Sequence, residues 1–218
     1  MSTKDRIARR VALELHDGDV VNLGIGLPTL VSNYLPPGVE VILQSENGML
    51  NMGQAVPEDQ ADPDITNAGA KFVSILPGGC FFDSTMSFCI IRGGHVDVTV
   101  LGALEVDQEG NLANWVIPGQ MVPGMGGAMD LVTGARKVIV ATEHVNKNGK
   151  SKVLKRCSLP LTAQQKVNLI VTDLAVMEVT PQGLVVKELA PGVTPQALKE
   201  ATEADLIMHE DVLVQALA

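Results

Sequence analysis

Three runs of β-branched and aliphatic residues constrain the fold of this chain more than any other feature. They occupy residues 20–23, 96–101 and 137–142. Such nearly continuous apolar runs are typical of strands that are buried on both faces of a parallel sheet. Segments with helical periodicity precede the first two runs, at residues 3–16 and 84–91. This alternation predicts an α/β fold with an open, mostly parallel sheet flanked by helices and related to the Rossmann fold.

Length and composition set the scale of the molecule. With 218 residues, 46% of them hydrophobic, the chain can bury a substantial core, and we predict one domain over residues 1–218. The net charge of −9 at pH 7 argues against nucleic acid or an anionic membrane as the main partner. A local site could nevertheless bind an anionic substrate.

The cysteines and the N-terminus bear on the cellular compartment. Cys80, Cys89 and Cys157 form no CxxC pair, and the apolar surroundings of Cys80 and Cys89 predict buried free thiols. Free thiols suit a reducing cytosol. The N-terminus has no apolar secretory core, and no apolar run reaches the ~20 residues that span a bilayer. We therefore expect a cytoplasmic protein that does not enter membranes.

Two glycine loops precede predicted helices. Gly24 and Gly26 follow the strand at residues 20–23, and Gly126 and Gly127 precede a helix that starts near residue 128. Main-chain N–H groups in such loops can bind an anion or stabilise an oxyanion. The first loop lacks the third glycine of the dinucleotide-binding GxGxxG motif. Tight turns or close packing would explain both loops equally well.

One glutamate occupies a conspicuous position. A predicted strand at residues 39–43 leads into Ser45-Glu46-Asn47-Gly48, and Asn47-Gly48 indicates a turn. Glu46 should therefore lie at the C-terminal end of a strand, where open α/β sheets bind ligands. A solvated surface glutamate is the alternative. The acidic segment 57–64 is predicted to be a solvated insertion or a mobile cover over the site.

Several common catalytic patterns are missing from the sequence. The histidines, His16, His95, His144 and His209, lack the spacing of metal ligands, so we expect no metal site. The sequence contains neither a GxSxG elbow nor a GxxxxGK[ST] loop. Composition and spacing alone indicate an α/β protein with two glycine loops and one well-placed glutamate.

Five short motifs in the sequence indicate a protein family. They are NLGIGLPT at residues 22–29, QSENG at 44–48, IRGGH at 91–95, LANW at 112–115 and GMGGAMD at 124–130. In this order they closely resemble the β subunits of family I coenzyme A-transferases, which include the 3-oxoacid, acetate and butyrate–acetoacetate CoA-transferases. The resemblance covers nearly the whole chain, and Ser-Glu-Asn-Gly is its most specific motif.

The resemblance implies a role for individual residues. Glu46 matches the catalytic glutamate of the family, which forms a glutamyl-CoA thioester in a ping-pong mechanism. Gly127 matches a main-chain donor of the oxyanion hole. Coenzyme A is then a substrate, and neither a permanently bound cofactor nor a metal is expected. The residues expected to contact substrate or CoA are Asn22, Gly24, Gly26, Ser45, Asn47 and Gly126.

The resemblance also implies a partner. In the family an α subunit completes the active site, so this chain should be half of a hetero-oligomer, α2β2 in many relatives. The expected substrates are acyl-CoA and short-chain acids such as acetate, butyrate or acetoacetate. The alternatives are a succinyl-CoA:3-oxoacid CoA-transferase subunit, an acyl-CoA hydrolase that uses Glu46 with water, and a non-catalytic domain that senses CoA esters or sugar phosphates.

Two positions depart from the pattern of the family. Gln120 stands where a lysine is expected, and Ala70 stands where several 3-oxoacid enzymes carry lysine, with Lys71 displaced by one residue. Both positions bear on contacts with a substrate carboxylate or with CoA phosphates. The run at residues 114–118 resembles the enzymes that act on short-chain acids.

Overall fold

The computed structural model describes residues 1–119, 124–209 and 211–215 of the chain. In chain order, its strands are β1 (Val20–Leu23), β2 (Ile42–Ser45), β3 (Met49–Ala55), β4 (Val73–Phe81), β5 (Val98–Leu101), β6 (Glu105–Asp107), β7 (Leu112–Ala113), β8 (Lys137–Ala141), β9 (Val153–Leu154), β10 (Leu169–Val171), β11 (Ala175–Thr180), β12 (Gly183–Leu189), β13 (Leu206–Ile207) and β14 (Leu213–Val214). The α-helices are α1 (Thr3–Ala12), α2 (Ser84–Arg92), α3 (Ala128–Gly134) and α4 (Pro195–Ala201). Two 3₁₀ segments cover Leu27–Tyr34 and Glu58–Gln60.

A mixed sheet forms the body of the protein. Across the described residues it has 11 strands in the order β13-β12-β11-β10-β8-β5-β1-β2-β3-β4, with β14 also paired to β12. The centre, from β10 to β2, is parallel. Hairpins add antiparallel strands on both sides, β3 and β4 on one and β11 and β12 on the other. The predicted α/β fold with a mostly parallel sheet is confirmed.

Both faces of this sheet are covered, as the apolar runs predict. Along β8, Val138 and Val140 belong to one hydrophobic cluster, whereas Ile139 and Ala141 belong to another. Successive residues of a strand point to opposite faces, so a strand covered on both faces must be apolar throughout. The small sheet β7-β6-β9 contributes to the first cluster, and α1 contributes to the second.

Helix α1 is anchored to the sheet by packing and by charge. Ser2 and Asp5 form a capping box at its start, which satisfies otherwise unpaired N–H groups. The helix buries Ile7 and Val11. Nε and Nη2 of Arg10 each lie 2.7 Å from a carboxylate oxygen of Glu188 on β12. This bidentate ion pair connects helix α1 to strand β12 of the sheet.

Three local predictions are corrected. The strand predicted at residues 39–43 is shifted towards the turn and forms β2, and the helix predicted after the first glycine loop is a 3₁₀ segment. Cys80 and Cys89 are exposed rather than buried. They are exposed because β4 is an edge strand and because α2 buries only Ser87 and Ile91. Among the described residues, no helix is both long and apolar enough to cross a membrane.

Candidate active site

Glu46 lies in the tight turn that joins β2 to β3. Because β2 pairs in parallel with β1, this turn is at the C-terminal edge of the parallel strands, as predicted. Gly48 has φ +121°, and a Cβ there would collide with the carbonyl oxygen of Phe82. Only glycine accepts that conformation and that close approach. The Asn-Gly sequence thus forces the chain to reverse and leaves Glu46 half-buried at the strand end.

Glu46 meets the second glycine loop across the sheet edge. The amide nitrogen of Gly127 donates a hydrogen bond of 3.1 Å to Oε1 of Glu46. A Cβ at position 127 would lie 2.5 Å from Oε2 of Glu46, and one at Gly126 would lie 3.1 Å from Oε1. Because no side chain intervenes, the carboxylate approaches the main chain of both glycines. The structure therefore brings Glu46 next to Gly126 and Gly127, although Gly127 is 81 positions away in sequence.

A buried chain of side-chain hydrogen bonds supports the turn from behind. Asn22 donates from Nδ2 to Oε1 of Gln44 at 2.7 Å, and Gln44 donates from Nε2 to Oγ of Ser87 at 3.0 Å. All three residues are buried. The side-chain amide of Asn22, a predicted CoA contact, is thus engaged within the protein. Sequence analysis missed Gln44 and Ser87, because nothing local shows that residues 43 positions apart share a hydrogen bond.

Ser45 and Asn47, which flank Glu46, hold a neighbouring loop. The amide of Ala68 donates to Oγ of Ser45 at 3.1 Å, and Nδ2 of Asn47 donates to the carbonyl oxygen of Thr66 at 2.7 Å. Both residues were predicted to contact substrate or CoA. In the structure their side chains connect the turn that carries Glu46 to residues 66–71, and their contact with substrate or CoA stays a prediction.

The two glycines of the first loop differ in their position relative to the cleft. Gly24 lines the cleft beside Glu46, whereas Gly26 is exposed and lies outside the cleft lining. The N–H of Gly24 donates to the carbonyl oxygen of Val100 at 2.8 Å. The N–H of Gly24 is therefore already used within the sheet.

A cleft of about 880 Å³ opens in front of Glu46. This volume is within the range of small-molecule sites. Sequence analysis missed several of its polar lining residues, which come from the first 3₁₀ segment, from β3 and from loops that only the fold brings together. These are Thr29, Ser32, Asn33, Gln54, Asn67 and Asn114. Gln120, predicted to bear on substrate contacts, lies outside the described residues.

A buried histidine and a half-buried cysteine lie away from this cleft. Both ring nitrogens of His144 meet hydroxyl oxygens, Thr172 Oγ1 at 3.0 Å and Thr202 Oγ1 at 2.9 Å. Burial lowers the pKa of His144 to about 4, so its neutral form is favoured. Burial and the nearby carboxylate of Asp107 raise the pKa of the Cys157 thiol. Within the described residues, no cluster of three or more histidine, cysteine and acidic side chains is arranged to hold a metal.

Comparison with known proteins identifies the family. A family model described as coenzyme A transferase matches residues 4–201. The chain belongs to the coenzyme A transferase family. Curated relatives include the beta subunit of the acetate CoA-transferase of Haemophilus influenzae, 59% identical over 97% of this chain and 94% of the relative. The beta subunit of the enzyme of the same name from Escherichia coli K12 is 56% identical over 99% of this chain and 98% of the relative.

Other relatives carry different names or a longer chain. One subunit of a probable succinyl-CoA:3-ketoacid coenzyme A transferase from Bacillus subtilis is 51% identical over 96% of this chain and 97% of that protein. The mouse mitochondrial succinyl-CoA:3-ketoacid coenzyme A transferase 2B is 48% identical over 92% of this chain. The chain spans 39% of that mouse protein.

Solved structures share the fold of this CoA-transferase family member. An acyl-CoA transferase from Escherichia coli O157:H7 superposes with a TM-score of 0.77 at 21% identity, over 98% of this chain and 43% of that one. A glutaconate coenzyme A-transferase from Acidaminococcus fermentans gives a TM-score of 0.71 at 18% identity, over 98% of this chain and 88% of that one. At these identities the likeness concerns the fold alone.

Proposed function

We propose that this chain is the β subunit of a CoA-transferase that moves CoA between short-chain acids through a glutamyl-CoA thioester on Glu46. The observation that carries the proposal is the hydrogen bond from the Gly127 amide to the carboxylate of Glu46, a residue that lines the cleft. A nucleophilic carboxylate and an oxyanion donor on adjacent main chain are the groups that acyl transfer needs. Relatives that are named as CoA-transferase subunits support the same activity.

The proposed chemistry exchanges one acyl bond for another in balanced steps. A carboxylate oxygen of Glu46 attacks the thioester carbon, the C–S bond breaks, and CoA leaves as the thiolate. The thiolate then attacks the Glu46 carbonyl of the resulting anhydride, which releases the first acid and leaves CoA on Glu46. An acceptor carboxylate reverses both steps. Each tetrahedral intermediate places negative charge on an oxygen, and the amide of Gly127 would stabilise that charge.

The proposed substrates are short-chain monocarboxylates, with acetate the first to test. The relatives at 59% and 56% identity carry acetate in their names, whereas the one at 51% carries succinyl-CoA and a 3-ketoacid. Butyrate, acetoacetate and other 3-oxoacids complete the set of proposed acids. CoA enters and leaves as a substrate in this scheme, and a cytoplasmic location remains our prediction.

The proposed partner is an α subunit. Several large apolar side chains are exposed: Ile25, which lines the cleft, is 71% exposed, Phe81 57%, Met86 53% and Met129 46%. Met86 and Met129 lie in the first turns of α2 and α3, which pack together. Exposed apolar patches of this kind mark interaction surfaces. We propose that an α subunit covers these exposed side chains and completes the active site, in an α2β2 assembly.

Mass analysis of the Glu46 peptide tests the function directly. The chain, co-purified with its α subunit, is mixed with acetoacetyl-CoA without an acceptor acid and quenched in acid. We expect the peptide that contains Glu46 to carry CoA as a thioester. An unmodified Glu46 in a complex that still transfers CoA would overturn the mechanism.

The same preparation separates the alternatives. A hydrolase would consume acetoacetyl-CoA without an acceptor at a rate comparable with transfer in the presence of acetate. A sensing domain would bind the CoA ester and form no covalent species on Glu46. Either outcome would contradict the proposed transferase.

A further inference from the structure

Helix α2 contacts both halves of the candidate active site. Ser87 on this helix accepts a hydrogen bond of 3.0 Å from Nε2 of Gln44, which lies two residues before Glu46. Phe88, the next residue of α2, lies against Gly127, because a Cβ at that glycine would be 3.3 Å from Cε1 of the ring. The helix therefore reaches both the strand that leads to the carboxylate and the loop that carries the main-chain donor.

Helices α2 and α3 pack at close range. A Cβ at Gly134 of α3 would collide with the carbonyl oxygen of Ile91, so only glycine permits this approach of the two main chains. Ile91 and Leu131 belong to one hydrophobic cluster. Helix α3 begins directly after Gly127, and the amide of Leu131 donates to the carbonyl oxygen of Gly127 at 2.9 Å. A shift of α3 relative to α2 would therefore move the Gly127 amide.

One arginine connects these two helices near the glycine loop. Nε of Arg92, the last residue of α2, donates to Oδ1 of Asp130 in the first turn of α3 at 2.7 Å. The guanidinium carbon of Arg92 also lies 5.5 Å from the centroid of the Phe88 ring, within the range of cation–π contacts. The same guanidinium group therefore restrains α3 and the ring that lies against Gly127.

We infer that Arg92 is a positioning residue that holds the Gly127 amide at its working distance from Glu46, an inference that rests on the proposed transferase function. It acts through Asp130 and Phe88. Arg92 is not among the described residues that line the cleft, so its effect on the reaction passes through these contacts. An oxyanion donor works at about 2.7–3.1 Å, so a small displacement of α3 is enough to weaken it.

A second ion pair provides a matched control. Nη1 of Arg136 lies 2.7 Å from Oδ1 of Asp97, and these side chains are 67% and 28% exposed. Those of Arg92 and Asp130 are 67% and 27% exposed. Arg136 follows α3, at the opposite end of this helix from Gly127. Exposed ion pairs contribute little to stability, so replacing either arginine should leave the thermal midpoint nearly unchanged.

The test compares Arg92→Met and Arg136→Met in the complex of this chain with its α subunit. We expect Arg92→Met to lower kcat for transfer from acetoacetyl-CoA to acetate roughly 10-fold, a part of the roughly 100-fold cost of losing an oxyanion donor. The KM for each substrate should change less than about 2-fold, because the weakened contact forms in the transition state. Arg136→Met should keep the original kcat. Arg92→Lys retains the positive charge and should recover part of the lost kcat.

Double substitutions show whether Arg92 acts through Gly127. In Gly127→Ala the donor is already displaced, so adding Arg92→Met should lower kcat by less than about 2-fold more. Arg92→Met and Asp130→Asn together should cost no more than the larger of the two single losses, because they remove the same ion pair. The inference would be overturned by an unchanged kcat in Arg92→Met, by equal losses in Arg92→Met and Arg136→Met, or by a full additional loss in the Gly127→Ala background.

This failure is distinguishable from failure of the proposed function. Formation of the CoA thioester on Glu46 requires no acceptor acid, so it reports on the transferase chemistry alone. Arg92→Met should still form this thioester, but roughly 10-fold more slowly. Formation at the original rate would overturn only the role of Arg92. If the unsubstituted complex forms no thioester, the transferase proposal itself fails.

Discussion

The amide nitrogen of Gly127 lies 3.1 Å from Oε1 of Glu46, and no side chain at position 127 could occupy the space between its Cα and that carboxylate. Gly127→Ala would place a Cβ 2.5 Å from Oε2 of Glu46, so the carboxylate would have to move away from the amide. We expect kcat to fall roughly 100-fold or more, the usual cost of losing one oxyanion donor. Steady-state transfer by the α–β complex measures it, with the thermal midpoint as a control for folding. A kcat within about 3-fold of the original would contradict the assignment.

Shortening the side chain of Glu46 should have a comparable effect. Glu46→Asp keeps the carboxylate but withdraws it by one methylene from the Gly127 amide. A displacement of this size can cost about 100-fold in rate, and Glu46→Ala should abolish transfer. Glu40→Asp, at an exposed position shortly before β2, is the matched control and should retain full activity. Normal turnover by Glu46→Ala would show that another group is the nucleophile.

The buried chain from Asn22 to Ser87 should contribute to stability. Ser87→Ala removes the acceptor of Gln44 Nε2 and leaves a buried donor unpaired, which costs about 1–3 kcal/mol. Urea denaturation should show a lower midpoint with an unchanged slope. Ser84→Ala makes the same chemical change at an exposed position of the same helix, and it should shift the free energy of unfolding by less than about 0.5 kcal/mol. Equal effects of the two substitutions would argue against the hydrogen-bonded chain.

His144 should make the protein less stable in mild acid. Its pKa is lowered to about 4 in the folded protein, so the unfolded chain takes up the proton first as the pH falls. The contribution of neutral His144 to the free energy of unfolding is complete above pH ~6.5. It is lost between pH ~6.5 and ~4, by about 3 kcal/mol in total. His144→Gln should be less stable at pH 7 and should show a weaker dependence of unfolding free energy on pH in this window. His209→Gln, at an exposed position, is the matched control.

The pair between Arg10 and Glu188 should stabilise the fold more than an exposed pair does. The side chains of Arg10 and Glu188 are 9% and 20% exposed, so Arg10→Met leaves a largely buried carboxylate without its partner. We expect a loss of about 3 kcal/mol in the free energy of unfolding. Lys155 and Asp205 are 57% and 71% exposed, and Lys155→Met should cost under about 1 kcal/mol. A loss for Arg10→Met no larger than that for Lys155→Met would contradict this view of α1.

Sequence analysis recovered the elements that depend on local chemistry. The apolar runs became β1, β5 and β8 because a strand buried on both faces needs apolar side chains in both directions. The Asn47-Gly48 turn followed from the conformation that glycine permits. Cys80 and Cys89 were wrongly predicted to be buried. Apolar neighbours in sequence do not reveal that β4 lies at a sheet edge or that α2 buries few of its side chains.

The sequence by itself determined the α/β architecture, the turn that carries Glu46 and membership of the coenzyme A transferase family. Only the tertiary structure decided which groups meet at that turn. It joined Gly127 to Glu46 across 81 positions, linked Gln44 to Ser87 behind them, and placed Lys71 in the same cleft. The physical reason is the range of the forces involved. Backbone propensity and apolar periodicity act between near neighbours in the chain, whereas the hydrogen bonds and charges of the site act between segments that meet only after the sheet has formed.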